Sequence, residues 1–232
     1  MKISVVIPVY NEEKYIAQCL RSLQNQTHQP NEIIVVDNNC TDKTIAIARK
    51  FKVKIVTEKK QGMVYSRNKG YNSSQYEIIA RCDADSLLPE FWIKRIKEDF
   101  KQNNIIGVSG PCYFYDYFPL GIKKFSALTF LYFKASKILL GQNVLFGSNM
   151  AIKKEVWQKT NNKTCLKDDK VHEDTDLSIH IGPYGKIKYD KDLLIGMSAR
   201  RLKHSPFSIL VEYPTRWFRT ILSHRLFKIS YR

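Results

Sequence analysis

Short apolar, β-branched runs alternate with helical stretches from the amino terminus onward, and that alternation leaves few folds open. Ile3 to Val9 reads as a buried strand, and Glu12 to Gln26 carries Tyr15, Ile16, Cys19, Leu20 and Leu23 on one helical face. The pattern repeats with strands at Glu32 to Val36, Val53 to Val56 and Tyr76 to Arg81, and helices at Thr41 to Phe51 and Gly62 to Asn72. Strands joined by helices of this length require right-handed crossovers, hence an α/β fold with a mostly parallel, Rossmann-like sheet flanked by helices. In such a sheet, ligands bind beyond the carboxyl ends of the strands. The residues there are Tyr10, Asn11 and Glu12, then Asp37, Asn38 and Asn39, then Asp83 and Asp85, all polar and rich in carboxylates.

Further along, Pro89 opens a helix running to about Phe100, after which the regularity loosens. Strands are predicted at Ile105 to Phe114, Phe146 to Ile152 and Lys186 to Tyr189, and helices at Ile122 to Leu140 and Glu173 to Ile181. The expected division is one α/β domain over residues 1–204 and a basic, amphipathic, aromatic segment over 205–232. The amino terminus begins directly on a strand pattern, without the charged head, apolar stretch and cleavage site of a secretory signal. The longest apolar candidate, Phe125 to Phe133, falls short of a bilayer span.

Lys and Arg number 38 against 22 Asp and Glu, a formal net charge of +16, which favours an anionic partner: nucleotide, phosphorylated lipid, membrane surface or nucleic acid. A solvated lysine surface would give the same balance. Five cysteines, far apart and without a C-x-x-C pair, indicate neither a disulfide framework nor a cysteine zinc site, and point to a reducing compartment.

Asp83 and Asp85 in RCDADSLLP suit a hard divalent cation that keeps waters and diphosphate oxygens as its other ligands. Alone the pair is a weak signal, since capping of the following helix accounts for it equally well. Three further segments supply context: SVVIPVYNEE at Ser4 to Glu13, VVDNNCTDKT at Val35 to Thr44, and HEDTDLSIHI at His172 to Ile181. With CDADS they stand in the order and spacing of the family 2 glycosyltransferases, which the chain resembles from residue 3 to about 202.

That resemblance implies a GT-A fold and an inverting, metal-dependent transfer of a sugar from a nucleotide-sugar donor, UDP-linked by default, to a hydroxyl acceptor. It implies that Pro8, Tyr10 and Glu12 meet the nucleotide and that Asp37 contacts the base. Arg67, in GMVYSRNKGYN, would approach the donor phosphates, Asp83 the ribose, and Asp85 a Mn²⁺ or Mg²⁺ ion. Arg200 and Arg201 would contact phosphate, with His204 completing the metal shell. Asp174 would be the general base, and Gly147, Asn149 and Glu173 would border the acceptor.

Other readings of these residues stay open. Asp37 serves as a turn residue, Glu12 as a first-turn acid, Arg67 as part of a solvated face, and the Gly147 segment as a tight turn. His172, Glu173 and Asp176 are read as helix capping and dipole partners.

Basic amphipathic stretches at Phe125 to Leu139 and Trp217 to Leu226 fit the interfacial plane of an anionic membrane, unless their apolar sides complete the core. A lipid-linked or cell-envelope glycan acceptor would account for both charge and tail. The enzyme would then sit in the cytoplasm, peripheral at the inner membrane face, with no nucleic-acid partner. Two competing classes remain. A nucleotidyltransferase would be expected to carry a Gly-rich loop where this chain has PVYNEE, and a non-catalytic basic module would not need the carboxylates that are present. An NAD enzyme would need G-x-G-x-x-G at that same turn.

Overall fold

The computed structural model describes residues 1–116, 126–166, 171–200, 205 and 207–226. Strand β1 (Ile3–Val9) lies inside the sheet, buried at every position. It pairs in parallel with β2 (Glu32–Asp37) and β4 (Ile78–Cys82), while β3 (Lys54–Thr57) extends β2. Between them run α1 (Ile16–Gln24), α2 (Thr44–Ala48) and α3 (Met63–Ser73). Helices α1 and α2 are shorter than the predicted Glu12 to Gln26 and Thr41 to Phe51, because the polar residues after β1 and β2 form loops before each helix begins, whereas α3 matches the predicted Gly62 to Asn72 to within one residue.

Alternate side chains of β1 enter two cores: Ile3, Val5, Ile7 and Val9 pack with Leu20, Leu23 and Trp92 on one face, and Val6 with Ile34, Tyr71 and Trp157 on the other. This period of two explains why the strand is apolar at every position but Ser4, whose hydroxyl donates to Glu32: both faces are covered. A methyl group at Gly70 of α3 would lie 2.3 Å from Val6, so glycine lets this helix sit close on the sheet.

The second half departs from the expected pattern. The sheet order is β3-β2-β1-β4-β7-β5-β8, in which β7 (Asn149–Lys153) runs antiparallel to both β4 and β5 (Ile105–Ser109). The run Ile105 to Phe114 is two strands, broken at Gly110 and Pro111, where proline has no N–H for a ladder. Its second part, β6 (Cys112–Phe114), pairs with β9 (Ile195–Met197) in a small separate sheet. Helix α6 (Lys154–Thr160) and strand β9 were not anticipated.

The other elements are α4 (Trp92–Asp99), α5 (Ser126–Leu140), α7 (Glu173–Ile181), β8 (Lys186–Tyr189) and α8 (Tyr213–Leu226). The two predicted segments Glu173 to Ile181 and Lys186 to Tyr189 coincide with α7 and β8. The start of the helix predicted from Ile122 lies outside the described residues. Helix α8 packs its Thr220, Ile221 and Ser223 inward and leaves Phe218 and Leu222 exposed. The Thr220 hydroxyl accepts the His172 amide at 2.8 Å, and the Trp217 indole donates to Ser136 at 3.0 Å, so α8 is docked against α7 and α5. Among the described residues no helix is long and apolar enough to cross a membrane.

Candidate active site

The carboxyl ends of β1, β2 and β4 open onto a cleft of about 410 Å³ lined by Pro8, Tyr10, Glu12, Asn38, Gly62, Ser66, Asp83, Asp85 and Arg200, among others. Parallel pairing aligns these strand ends, which is why residues distant in sequence share one wall. Asn11 and Asn39 hold φ near +53° and +68°, a conformation asparagine tolerates better than most side chains, and they turn the chain at the cleft rim.

Arg200 crosses the cleft. Its Nη2 is 2.5 Å from Glu12 Oε1 and its Nε 3.2 Å from Asp85 Oδ2, while the guanidinium lies over the Tyr15 ring at 4.6 Å. Asp85 is nearly buried, and the Tyr115 hydroxyl donates to its main-chain oxygen at 3.1 Å. Asp83 accepts the Ser148 hydroxyl at 2.6 Å. Glu12, Asp83 and Asp85 thus present hard carboxylate oxygens to one cleft, and Glu12 Oε2 is buried with no hydrogen-bond partner among the described residues. Such a donor set fits a hard divalent cation such as Mg²⁺ or Mn²⁺.

Asp174 stands buried in the first turn of α7, and Arg81 links it to Asp83 of the cleft. The Gly147 amide donates to its Oδ2 at 2.8 Å and Arg81 Nη1 approaches Oδ1 at 3.4 Å. Burial first, and then the neighbouring Glu173 charge, push the Asp174 carboxyl up to about 7, against the opposing effects of Arg81 and the Gly147 amide. A carboxyl of that affinity is matched to proton transfer near neutrality.

Arg81 connects the two groups of carboxylates. From within buried β4 it pairs with Glu173 Oε1 at 2.9 Å and Asp174 at 3.4 Å, and lies 3.8 Å from Asp83. The sequence reading passed over it. The available signal was an arginine in the last buried turn of a strand, immediately before Cys82 and Asp83, where an unpaired cation could not persist.

Several expected residues lie in other roles. Arg67 is fully buried and reaches Glu173 Oε2 at 3.3 Å and its main-chain oxygen, and it does not line the cleft. Asp37 accepts the Cys40 amide at 2.9 Å, a turn contact, while its neighbour Asn38 lines the cleft and bonds Glu58, Lys60 and Gly62. Asn149 is wholly buried, accepting from Trp92 Nε1 at 2.9 Å and donating to the Pro111 and Leu193 carbonyls, so its side chain braces the core.

Gly147 abuts Asp174 directly, and Ser148 turns to Asp83. Glu173 is held between Arg81 and Arg67. His172 makes no side-chain cap bond. Its ring packs 5.7 Å from Tyr132, and burial lowers its affinity for a proton to about 4. Asp176 stands in the first turn of α7, as a dipole partner would, and is buried and faces His180 and His224. Arg201, Lys203 and His204 lie outside the described residues.

The profile of the family described as Glycosyl transferase family 2 matches residues 4–159. Glycosyltransferase GlyG of Streptococcus pneumoniae is 32% identical over 120 residues, which cover 49% of this chain and 40% of that protein. The chain therefore spans less than half the length of such a relative. Among solved structures, the mannosyltransferase PcManGT of Pyrobaculum calidifontis, determined with GDP-Man and Mn²⁺, aligns at a TM-score of 0.75 with 18% identity, over 94% of this chain and 62% of its own. TarS of S. aureus, with UDP-GlcNAc, aligns at 0.66 with 19% identity, over 85% and 58% respectively. The fold is GT-A.

Proposed function

Since this chain belongs to glycosyl transferase family 2, we propose that it moves a sugar from a nucleotide-sugar donor to a hydroxyl acceptor with inversion at C1. The observation that carries this reading is Arg81, whose one guanidinium spans Asp83 on the donor side and Asp174 on the acceptor side. Base and donor carboxylate are thereby held in register, and orientation of this kind supplies much of a transfer enzyme's rate.

In this reading Pro8, Tyr10, Glu12 and Asn38 receive the nucleotide, with Asp37 at the base end and Asp83 toward the ribose. Asp85 and Asp83 would hold Mg²⁺ or Mn²⁺, which when bound neutralises charge on the departing diphosphate. Arg200 adds fixed positive charge at the same place, and Arg201 and His204 extend that shell. Asp174 accepts the acceptor hydroxyl proton on a carboxylate oxygen, oriented by the Gly147 amide and Arg81. The oxygen then attacks C1 from the face opposite the leaving group, so one displacement inverts the centre. Glu173 and Arg67 act through Arg81 and the α7 backbone, as positioning residues rather than direct contacts.

UDP is the working choice of nucleotide, and a lipid-linked or cell-envelope glycan the working acceptor. Support for the latter is the +16 charge together with exposed apolar side chains: Phe207, Val211, Phe218 and Leu222, spaced four, seven and four residues apart, and Phe130, Leu131 and Ile138 on α5. On this basis residues 205–232 form a segment that rests on the inner membrane face. Nucleic acid is not an expected partner.

The test is transfer and donor hydrolysis measured with UDP- and GDP-sugars in Mg²⁺ or Mn²⁺. Turnover should be lost in Asp85→Asn and Asp174→Asn, and the product should have inverted anomeric configuration. Activity persisting in both variants, or retained configuration, overturns the mechanism.

A further inference from the structure

Away from the cleft, three side chains that sugar transfer does not use converge from two helices. Asp176 and His180 stand one turn apart on the same face of α7, and His224 reaches them from α8. One ligand atom from each lies within 4.8 Å of the others. Asp176 Oδ1 is 3.5 Å from His180 Nε2 and 3.3 Å from His224 Nε2. These separations are long for charge-assisted hydrogen bonds, which run at about 2.7–2.9 Å. They match the spacing of about 3.3–3.4 Å between two ligands that each bind one tetrahedral zinc ion at about 2.0–2.1 Å.

The surroundings orient the three groups toward one point. His224 Nδ1 is 2.9 Å from the Thr220 carbonyl, which only an N–H satisfies, so the Nδ1 proton is committed there. Nε2 is left buried, facing the carboxylate, without a hydrogen-bond partner among the described residues. Asp176 Oδ2 accepts the Cys165 amide at 2.9 Å, which fixes the carboxylate and leaves Oδ1 toward the rings. Outer contacts of this kind hold metal-bound histidine and carboxylate in place. Two imidazoles and a carboxylate suit a borderline ion such as zinc better than the hard cation of the cleft.

We propose that Asp176, His180 and His224 form a zinc site, separate from the donor cleft, that ties α8 to the helix carrying Asp174. The ligands come from two helices, so the site exists only when α8 is docked, and zinc binding stabilises that docking. One residue, Thr175, separates Asp176 from Asp174, which places the clamp on the turn that presents the base.

The chelator-stripped chain of residues 1–232, carrying Asp85→Asn to remove the cleft's main proposed metal ligand, is titrated with Zn²⁺ and separately with Co²⁺. The expected result is one zinc retained per chain after dialysis, visible cobalt absorption of four-coordinate intensity, and a raised melting temperature with zinc. His180→Gln and His224→Gln should each weaken zinc binding by at least about tenfold, with circular dichroism reporting that the fold persists. If neither variant folds, the protein with its histidines intact still decides: no retained zinc and no cobalt spectrum overturns the proposal, and leaves protonated imidazoles paired with Asp176. Zinc retained unchanged in folded His224→Gln overturns it as well.

Discussion

The Gly147 amide donates to Asp174 Oδ2 at 2.8 Å, and a methyl group at position 147 would lie 2.7 Å from Asp174 Oδ1 and 2.9 Å from Arg81 Nη1. The contact that orients Asp174, the proposed base, is therefore also the contact that excludes every side chain but hydrogen. Gly147→Ala should displace the Asp174 carboxylate by a few tenths of an ångström or more, and shifts approaching 1 Å cost about 10²-fold in rate. The expected outcome is a large fall in kcat with little change in the donor KM, measured by steady-state transfer. An unaltered kcat would place the base elsewhere.

The Asp174 carboxyl, pushed up to about 7 by burial and the Glu173 charge, sets an expected pH profile. The base works only when deprotonated, so kcat/KM should fall on the acid side with an apparent pKa near 7. Glu173→Gln removes the neighbouring negative charge and should move that limb to lower pH. The folded chain holds this proton more tightly than the unfolded chain, so its contribution to stability is present below the ordinary carboxyl range and is lost as pH rises toward 7. Asp174→Asn should remove that slope in a denaturation series from pH 5 to pH 8, while abolishing transfer.

Arg200 joins Glu12 and Asp85 across the cleft. Its removal in Arg200→Ala leaves two carboxylates without their shared cation and, on the proposed reading, takes away one charge-assisted contact to the donor diphosphate. A contact of this kind is worth about 1.5–3 kcal/mol, so kcat/KM for the donor should fall by at least about tenfold. Arg200→Lys should recover part of the loss, since it restores the charge and not the fork that reaches both partners.

Asn149 separates a structural role from a substrate-binding one. Asn149→Ala would leave the Trp92 indole N–H and the Leu193 carbonyl without their buried side-chain partner, while the Pro111 carbonyl keeps the Ile195 amide. Each such group costs about 1–3 kcal/mol, and for a chain of this size each kcal/mol lowers the melting temperature by about 2–4 °C. A clear drop in thermal stability is expected, measured by calorimetry. A stable variant with a raised acceptor KM would assign Asn149 to the acceptor instead.

The exposed apolar residues of the carboxy-terminal helix make the membrane reading testable. Phe218→Ser with Leu222→Ser, both outward-facing, should reduce flotation with anionic vesicles and leave the melting temperature nearly unchanged. Equal flotation of the altered and unaltered chains would count against this face as the anchor.

Much of this was legible along the chain because local patterns carried it. The β-branched runs of β1 and β2 declare strands buried on both faces, and Asp83 and Asp85 stand at a predicted strand end, while Asp174 is singled out only by the family resemblance of the segment around it. The antiparallel insertion of β7 was not legible, since an apolar run has no direction until its neighbours are chosen. The same holds for β9, only three residues long and paired far from its sequence neighbours.

The sequence by itself determined the alternation of strands and helices, the polar strand ends, and which carboxylates could meet a donor. Only the tertiary structure decided which charges pair. Arg81 reads as an anomaly in a strand until Glu173 and Asp174, over ninety residues later, arrive beside it. Arg67 turns inward to Glu173, Asn149 to Trp92, and Asp176 to two histidines for the same reason. A buried polar group must find its partner in space, and partners brought together by chain crossovers leave no periodic mark in the sequence.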